Sequence, residues 1–355
     1  MGELKLMKGN EALAEAMIRS GCDAYFGYPI TPQSEVLEYL SREVKKESGM
    51  VVLQAESELA AINMIYGAAG CGKRVMTTSS SPGISLMQEG ISYIAGAQLP
   101  CLLVNVNRGG PGLGTIQPSQ ADYFQAVKGG GHGDYKLIVL APDSVQEMVD
   151  FVKKGFDLAE KYRNPVMILA DGAMGQMMEK VRLFEPIPRK TEFPNWCTTG
   201  KPVGKNSRFI TSLFIQPEEM EEVNNQLQKK YRQVEANEVM VEERNTEDME
   251  YLFTGFGLGA RICSKAMEIA RDKGYKVGLI RPITLYPFPY ATYMKYTDKI
   301  KGILDVEMNA GQMVEDVRLA VEGKTPVKFY GRMGGMIASP DEIVESFEKQ
   351  FIKEV

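Results

Sequence analysis

Three short segments place a hydroxyl, a carboxylate and a guanidinium where strands are expected to end. They are Thr31 in Tyr28-Pro29-Ile30-Thr31-Pro32, Glu56 and Glu58 in Gln54-Ala55-Glu56-Ser57-Glu58, and Arg108 in Asn107-Arg108-Gly109-Gly110-Pro111. Each follows or closes an apolar run: Ala24–Tyr28, Met50–Leu53 and Cys101–Val106. In open parallel sheets, ligands bind where strands end and loops diverge, so the three groups could converge on one crevice, hold an anionic substrate and relay a proton. The planar fork of Arg108 suits a carboxylate ligand. Glu58 leads into Leu59-Ala60-Ala61-Ile62, a stretch expected to be buried. Desolvation beside such a surface is what makes a carboxylate a usable proton donor or acceptor. The plainer alternative for Glu56 and Glu58 is that first-turn acids complement a helix dipole. Thr77-Thr78-Ser79-Ser80-Ser81-Pro82-Gly83 likewise stands between a strand and a helix, where its hydroxyls and N–H groups could cap that helix or meet an anion.

The elements that must carry these residues alternate. A helix over 10–20, with Asn10 as candidate N-cap, precedes strand 24–28. Pro32–Lys46 reads as a helix with Leu37, Leu40 and Val44 on one face, Met50–Leu53 as a short buried strand, and Glu58–Ala69 as a helix rich in small residues. Strand 74–78, helix 85–97, strands 101–106 and 137–140, helix 144–162 and strand 166–169 follow. Strands alternating with helices predict an α/β fold on a parallel sheet. From 185 to 238 the pattern breaks: Pro186, Pro188, Pro194 and Pro202 interrupt any regular element before a charged helix near Pro217–Asn237. A second α/β unit begins near Glu250, with strands near 251–254, 276–280, 303–307 and 327–330 and helices 260–273 and 312–322. The expected division is 1–184, a connector 185–238, and 239–355.

Composition narrows the classes. The chain has 355 residues and a net charge of −5, so nothing suggests nucleic-acid binding. Its apolar stretches fall short of the ~20 residues that span a bilayer. Met1–Lys5 lacks the apolar core of a secretory signal, and a soluble cytoplasmic protein is expected. The five cysteines form no CxxC pair, which is a poor disulfide framework and encodes no local iron–sulfur site. Small buried hydrophobes is their expected role. His132 is the single histidine, excluding a His-rich metal site. Gly255-Phe256-Gly257-Leu258-Gly259 follows a strand and opens a helix, as a dinucleotide loop does. Its third glycine falls one residue early, and the next strand ends in Arg281 rather than an acid. A tight turn is therefore preferred over an NAD-binding dehydrogenase. Gly133-Asp134-Tyr135 with Asn164 lacks the second glycine and paired asparagine of a magnesium–diphosphate element, and Asp171-Gly172 has no matching asparagine.

Taken together, Tyr28-Pro29-Ile30-Thr31-Pro32, Glu58-Leu59-Ala60-Ala61, Ser80-Ser81-Pro82-Gly83 and Asn107-Arg108-Gly109-Gly110-Pro111 resemble the α subunit of the 2-oxoacid:ferredoxin oxidoreductases. Arg281-Pro282, Pro287-Phe288-Pro289, Glu307-Met308-Asn309-Ala310-Gly311-Gln312-Met313 and Tyr330-Gly331-Arg332 are similar to the same family's second domain. Length and Asp171–Met178 look most like the branched-chain 2-oxoacid enzymes, with the 2-oxoglutarate enzymes second. The resemblance implies a pyrimidine-type domain of the thiamine-diphosphate-binding fold and a transketolase C-terminal-like domain. Thiamine diphosphate would lie at the interface with a β subunit that supplies the diphosphate and magnesium site. Iron–sulfur clusters would lie on partner subunits, with γ and ferredoxin-like δ subunits, ferredoxin, coenzyme A and a 2-oxoacid as further partners. Glu58 would hydrogen-bond N1′ of the aminopyrimidine as catalytic acid–base. Pro29, Ile30 and Ser81 would line the cofactor, and Thr31 and Arg108 would contact the substrate carboxylate. Glu56 is the competing acid, and His132 either lines the same mouth or shapes a loop.

Overall fold

The computed structural model describes residues 3–45, 48–201 and 207–353, so Met1, Lys46 and Pro202 fall outside it. A seven-stranded sheet forms the first half. Strand β1 (Leu4–Lys8) and helix α1 (Gly9–Arg19) lead into β2 (Ala24–Gly27), α2 (Ser34–Glu43), β3 (Val51–Gln54), α3 (Glu58–Gly70), β4 (Val75–Ser79), α4 (Ser81–Gly96) and β5 (Cys101–Asn107). A short α5 (Tyr123–Val127), β6 (Ile138–Leu140), α6 (Val145–Tyr162), β7 (Pro165–Asp171), α7 (Gly172–Gln176) and β8 (Met178–Arg182) complete the run. β8 returns antiparallel to β1 as a separate ribbon that the periodicity did not reveal.

The sheet order is β6-β7-β5-β4-β2-β3, all parallel. β5 is buried at every residue, as a central strand covered on both faces must be. The chain leaves β2 toward β3 on one side and returns to β4 on the other. The carboxyl ends of β2 and β4 thus flank the switch point where open α/β sheets bind ligands. The short strand read as buried, β3, is instead an exposed edge, with Val51 and Leu53 open to solvent, because no strand among the described residues lies beyond it.

After the connector, α8 (Pro217–Asn237) presents one apolar stripe, Leu227, Tyr231 and Val234, and buries it against the first half. A five-stranded sheet follows, ordered β14-β13-β10-β11-β9. It comprises β9 (Val241–Arg244), β10 (Tyr251–Thr254), β11 (Val277–Pro282), β13 (Gly302–Glu307) and β14 (Val327–Gly331), with α9 (Gly257–Asp272), α11 (Met313–Val321) and α12 (Pro340–Phe347) packed on it. Between β11 and α10 (Tyr290–Met294), strand β12 (Thr284–Tyr286) crosses over and pairs antiparallel with β6, extending the first sheet. Among the described residues no helix is long and apolar enough to cross a membrane.

Side chains lock the halves together. Arg281, almost wholly buried on β11, forms ion pairs with Asp143, Glu147 and Glu242. Gln120 spans the junction: its Nε2 donates to Phe256 O (2.7 Å) and its Oε1 accepts from Met308 N (3.0 Å). That contact fills the glycine loop. A Cβ at Gly259 would meet Val306 O at 2.8 Å and Gln120 Oε1 at 3.0 Å, so the glycines serve close packing, as a tight turn requires.

Asp171 caps α7 by accepting from Ala173 N and Met174 N, and lies against the start of α9. Burial pushes its carboxyl up to about 6, with the backbone N–H groups pulling the other way. A carboxyl raised in the folded state adds stability that is complete below about pH 4, the unfolded value, and is lost as pH rises through about 6. Urea unfolding should therefore give wild type a fall in stability, on the order of 1–3 kcal/mol, between pH 4 and 7 that Asp171→Asn lacks. Parallel pH profiles for the two proteins would refute this coupling.

Candidate active site

The carboxyl ends of four adjacent strands, β3, β2, β4 and β5, carry the residues singled out in the sequence. Beneath the Tyr28–Thr31 loop, buried Tyr25 bonds Thr78 Oγ1 (2.8 Å), Thr78 bonds Gln33 Oε1 (2.5 Å), and Gln33 Nε2 reaches Tyr28 O (3.3 Å). Asn10 is not an N-cap, since that position falls on Lys8. It is buried inside α1 and ties Pro32 O (2.7 Å) to Glu35 (2.8 Å), fixing the far end of the same loop.

Glu58 opens α3, with Ser57 as the N-cap accepting from Ala60 N (3.2 Å). It is 6% exposed. Its carboxylate nests on the first turn of α4: a Cβ at Gly83 would lie 2.5 Å from Glu58 Oε1 and 2.1 Å from Ser79 Oγ. Only glycine admits both groups. Glu56 points elsewhere, exposed, and accepts from Ser57 Oγ (2.7 Å). Leu59, expected inside, is 48% exposed, because the outer face of α3 meets nothing else among the described residues.

Arg108 and Thr31 do meet. Arg108 Nη1 donates to Thr31 O and Nη2 to Leu113 O, each at 3.0 Å. The guanidinium is buried, and Nε has no partner among the described residues. Five N–H groups with two engaged leave a fork that can still grip a carboxylate. Ser81 joins this side to α4: its Oγ accepts from Arg108 N (3.0 Å) and donates toward Asn107 Oδ1 (3.2 Å). Its N–H donates to Asn105 Oδ1 (3.1 Å), and Asn105 Nδ2 donates to Asp122 (2.8 Å). Burial raises the Asp122 carboxyl above the usual range.

The first turn of α4 thus has Glu58 on one flank and Ser81, Arg108 and Thr31 on the other. Pro29 and Thr31 are exposed at the rim, and Ile30 is half-buried. The helix begins at Ser81, four residues before the expected start, and its N-cap Ser80 makes no side-chain capping bond. The hydroxyls of Thr77, Ser79 and Ser80, Asn107 Nδ2 and Arg108 Nε are all buried without partners among the described residues. Each such atom costs about 1–3 kcal/mol if left unpaired. Buried polar atoms of this kind near the strand ends are available to a polar ligand.

Asn105, Asn107 and Asp122 were missed. The first two had a signal: two asparagines at alternate positions of an otherwise apolar strand face the same way. Asp122 had none. His132 lies elsewhere, exposed near the middle of α4, where its carbonyl accepts from Ser92 Oγ (2.5 Å). A cavity of about 660 Å³ opens between this site and the second half, lined by Ser81, Arg108, Asp122, Met308, Asn309 and Met333 among others. No group of three or more His, Cys, Asp or Glu among the described residues could hold a metal ion.

Comparison with known proteins identifies the family. Residues 15–245 match the family model "Pyruvate flavodoxin/ferredoxin oxidoreductase, thiamine diP-bdg", and 249–343 match "Pyruvate:ferredoxin oxidoreductase core domain II". Ketoisovalerate oxidoreductase subunit VorB of Methanothermobacter thermautotrophicus is 48% identical over 97% of both chains. The 2-oxoglutarate synthase subunit KorA of Methanocaldococcus jannaschii is 36% identical over 96% of this chain and 98% of its own. Among solved structures, the 2-oxoglutarate:ferredoxin oxidoreductase of Magnetococcus marinus, with 2-oxoglutarate, coenzyme A and succinyl-CoA bound, superposes with a TM-score of 0.86 at 29% identity. The match covers 99% of this chain and 66% of that one. A split-gene transketolase shares the fold alone, at a TM-score of 0.60 and 12% identity. The strand-end site therefore sits in the segment that matches a thiamine-diphosphate-binding model, and the chain belongs to the 2-oxoacid:ferredoxin oxidoreductase family.

Proposed function

We propose that this chain is the α subunit of a thiamine-diphosphate-dependent enzyme that oxidatively decarboxylates a branched-chain 2-oxoacid with coenzyme A, giving acyl-CoA, carbon dioxide and reduced ferredoxin. The observation that carries the proposal is the first turn of α4, which holds Glu58 on one flank and the Arg108–Thr31 pair on the other. When bound, thiamine diphosphate supplies a nucleophilic carbon and an electron sink. Glu58 holds a proton against the aminopyrimidine ring nitrogen, and Pro29, Ile30 and Ser81 flank that ring. Arg108 and Thr31 orient the substrate carboxylate and release it once decarboxylation removes its charge.

This half-site has no group for the diphosphate. A β subunit provides it, with magnesium, and docks on the exposed edge of β3 and the outer face of α3, where Val51, Leu53, Leu59 and Met64 are uncovered. Iron–sulfur clusters reside on that and other partner subunits, γ and a ferredoxin-like δ, which pass electrons to ferredoxin. The isolated chain is inert. An aliphatic substrate is favoured by the cavity lining, which includes Met308, Ala310 and Met333 beside neutral polar groups and in which Arg108 is the one basic residue among those described. A second substrate carboxylate, as in 2-oxoglutarate, would need a second cation.

The test is the complex purified with its partner subunits and assayed with coenzyme A and viologen against a panel of 2-oxoacids. The expected order puts 3-methyl-2-oxobutanoate and its homologues above 2-oxoglutarate and pyruvate in kcat/KM. A preference for 2-oxoglutarate would overturn the substrate assignment, and turnover by the isolated chain would overturn the half-site. In the same complex, Arg108→Lys should raise KM for the 2-oxoacid about 10–100-fold, since an ammonium loses the bidentate grip. An unchanged KM would remove Arg108 from the carboxylate site.

A further inference from the structure

The connector returns to the end of the helix that begins with Glu58, and two cysteines meet there. Cys71 is the C-cap of α3, and Cys197 lies in the proline-interrupted segment, 126 positions later in sequence. Thr198 N donates to Gly70 O at 2.9 Å, and Thr198 Oγ1 donates to the same oxygen at 3.0 Å. The peptide unit joining residues 70 and 71 therefore faces the one joining 197 and 198. Cys71 and Cys197 thus flank one hydrogen-bonded junction, and a disulfide needs flanking Cα atoms within about 4.4–6.8 Å.

The side chains point toward the shared turn. A Cβ at Gly72 would lie 2.3 Å from Cys197 Sγ and 3.2 Å from Cys197 Cβ, so that side chain rests on the residue next to Cys71. Cys71 Sγ approaches Thr198 O at 3.7 Å, the residue next to Cys197. The two thiols also differ in access, since Cys71 is half-exposed and Cys197 is buried. Burial raises the Cys197 thiol, and Arg208, whose Nη1 donates to Cys197 O at 3.0 Å, offsets part of that with positive charge.

We propose that Cys71 and Cys197 form a redox-active dithiol that low-molecular-weight disulfides oxidise to an intrachain disulfide. The Cys71 thiolate attacks one sulfur of RSSR, forming a mixed disulfide and releasing RS⁻. The Cys197 thiolate then attacks Cys71 Sγ, forming the Cys71–Cys197 bond and expelling the second RS⁻. The two protons lost by the cysteines pass to the two released thiolates. Two electrons leave the protein, and one RSSR becomes two RSH. Exposure makes Cys71 the first site of attack and Cys197 the resolving thiol. Closure pins the connector to the end of α3.

The full chain, incubated with oxidised glutathione at neutral pH, should lose two of its five thiols and yield a non-reducing tryptic fragment linking Cys71 to Cys197. Dithiothreitol should reverse both changes. The closed form should melt about 5 °C or more above the reduced one, because the bridge closes a long loop. Cys197→Ser should stop at a glutathione adduct on Cys71, and Cys71→Ser should leave Cys197 unmodified. Persistence of glutathione on Cys71 in wild type without the linked fragment, pairing of Cys71 with another cysteine, or retention of all five thiols would each overturn the proposal.

Discussion

Glu58→Gln in the assembled complex is expected to lower kcat for 2-oxoacid-dependent viologen reduction at least ~100-fold, the range lost when a positioned acid–base group is removed. The substitution keeps the size of the side chain and its hydrogen-bonding reach, so the nest against Gly83 and Ser79 survives. It removes the ability to hold or release a proton at the ring nitrogen. KM for the 2-oxoacid should change little, because the carboxylate contacts come from Arg108 and Thr31 on the opposite flank of α4. The melting temperature should move by no more than a degree or two. Glu56→Gln is the paired control. Glu56 is exposed and turned toward Ser57, so its loss should leave the rate intact. Full activity in the Glu58 variant, or an equal loss in both, would mean that the proton is handled elsewhere.

The largest effect on stability is expected at Arg281→Met. The guanidinium is 2% exposed and joins Asp143 and Glu147 of the first half to Glu242 of the second. Methionine fills the volume but leaves Asp143 and Glu147 without their cation, while Glu242 keeps Arg244. Breaking a buried ion network from one side costs about 3–5 kcal/mol, which for a chain of this size lowers Tm by about 4–7 °C. Burial already raises the Glu147 carboxyl, and Arg281 holds it down. Without that cation the folded-state value climbs further above the unfolded one. The added stability of such a group is present at low pH and lost as pH rises, so the deficit of Arg281→Met should be smaller at pH 5 than at pH 8. Thermal melts at the two pH values test both statements. A Tm within two degrees of wild type would show that the halves are held by packing alone.

The site was legible to an unequal degree. Thr31, Glu58 and Arg108 could be picked out because each stands just past an apolar run, and a short apolar run bounded by glycine or proline is a strong strand signal. The parallel sheet followed from alternation, and the charged helix Pro217–Asn237 fell at the residues expected. The elements that went unseen are short or two-sided. β12 contributes three residues to a sheet begun more than a hundred positions earlier, and no local pattern encodes that pairing. β1 and β8 form a small exposed ribbon with few buried residues to mark a period. Asn10 has the composition of an N-cap, yet tertiary contacts with Pro32 and Glu35 placed it inside the helix.

By itself, the sequence determined which chemistry was available: two acids before a small-residue helix, one guanidinium in a glycine turn and a hydroxyl in a proline loop. Those are properties of residue type and immediate neighbours, which a chain carries before it folds. The tertiary structure alone decided how they are arranged. Gly83 and Ser81 on one helical turn set Glu58 apart from Arg108, because strands β3, β2, β4 and β5 lie side by side in an order unlike their order in the chain. It also decided that β3 and one face of α3, apolar enough to be read as core, lie on the outside. Burial depends on what covers a surface, and nothing among the described residues covers that one.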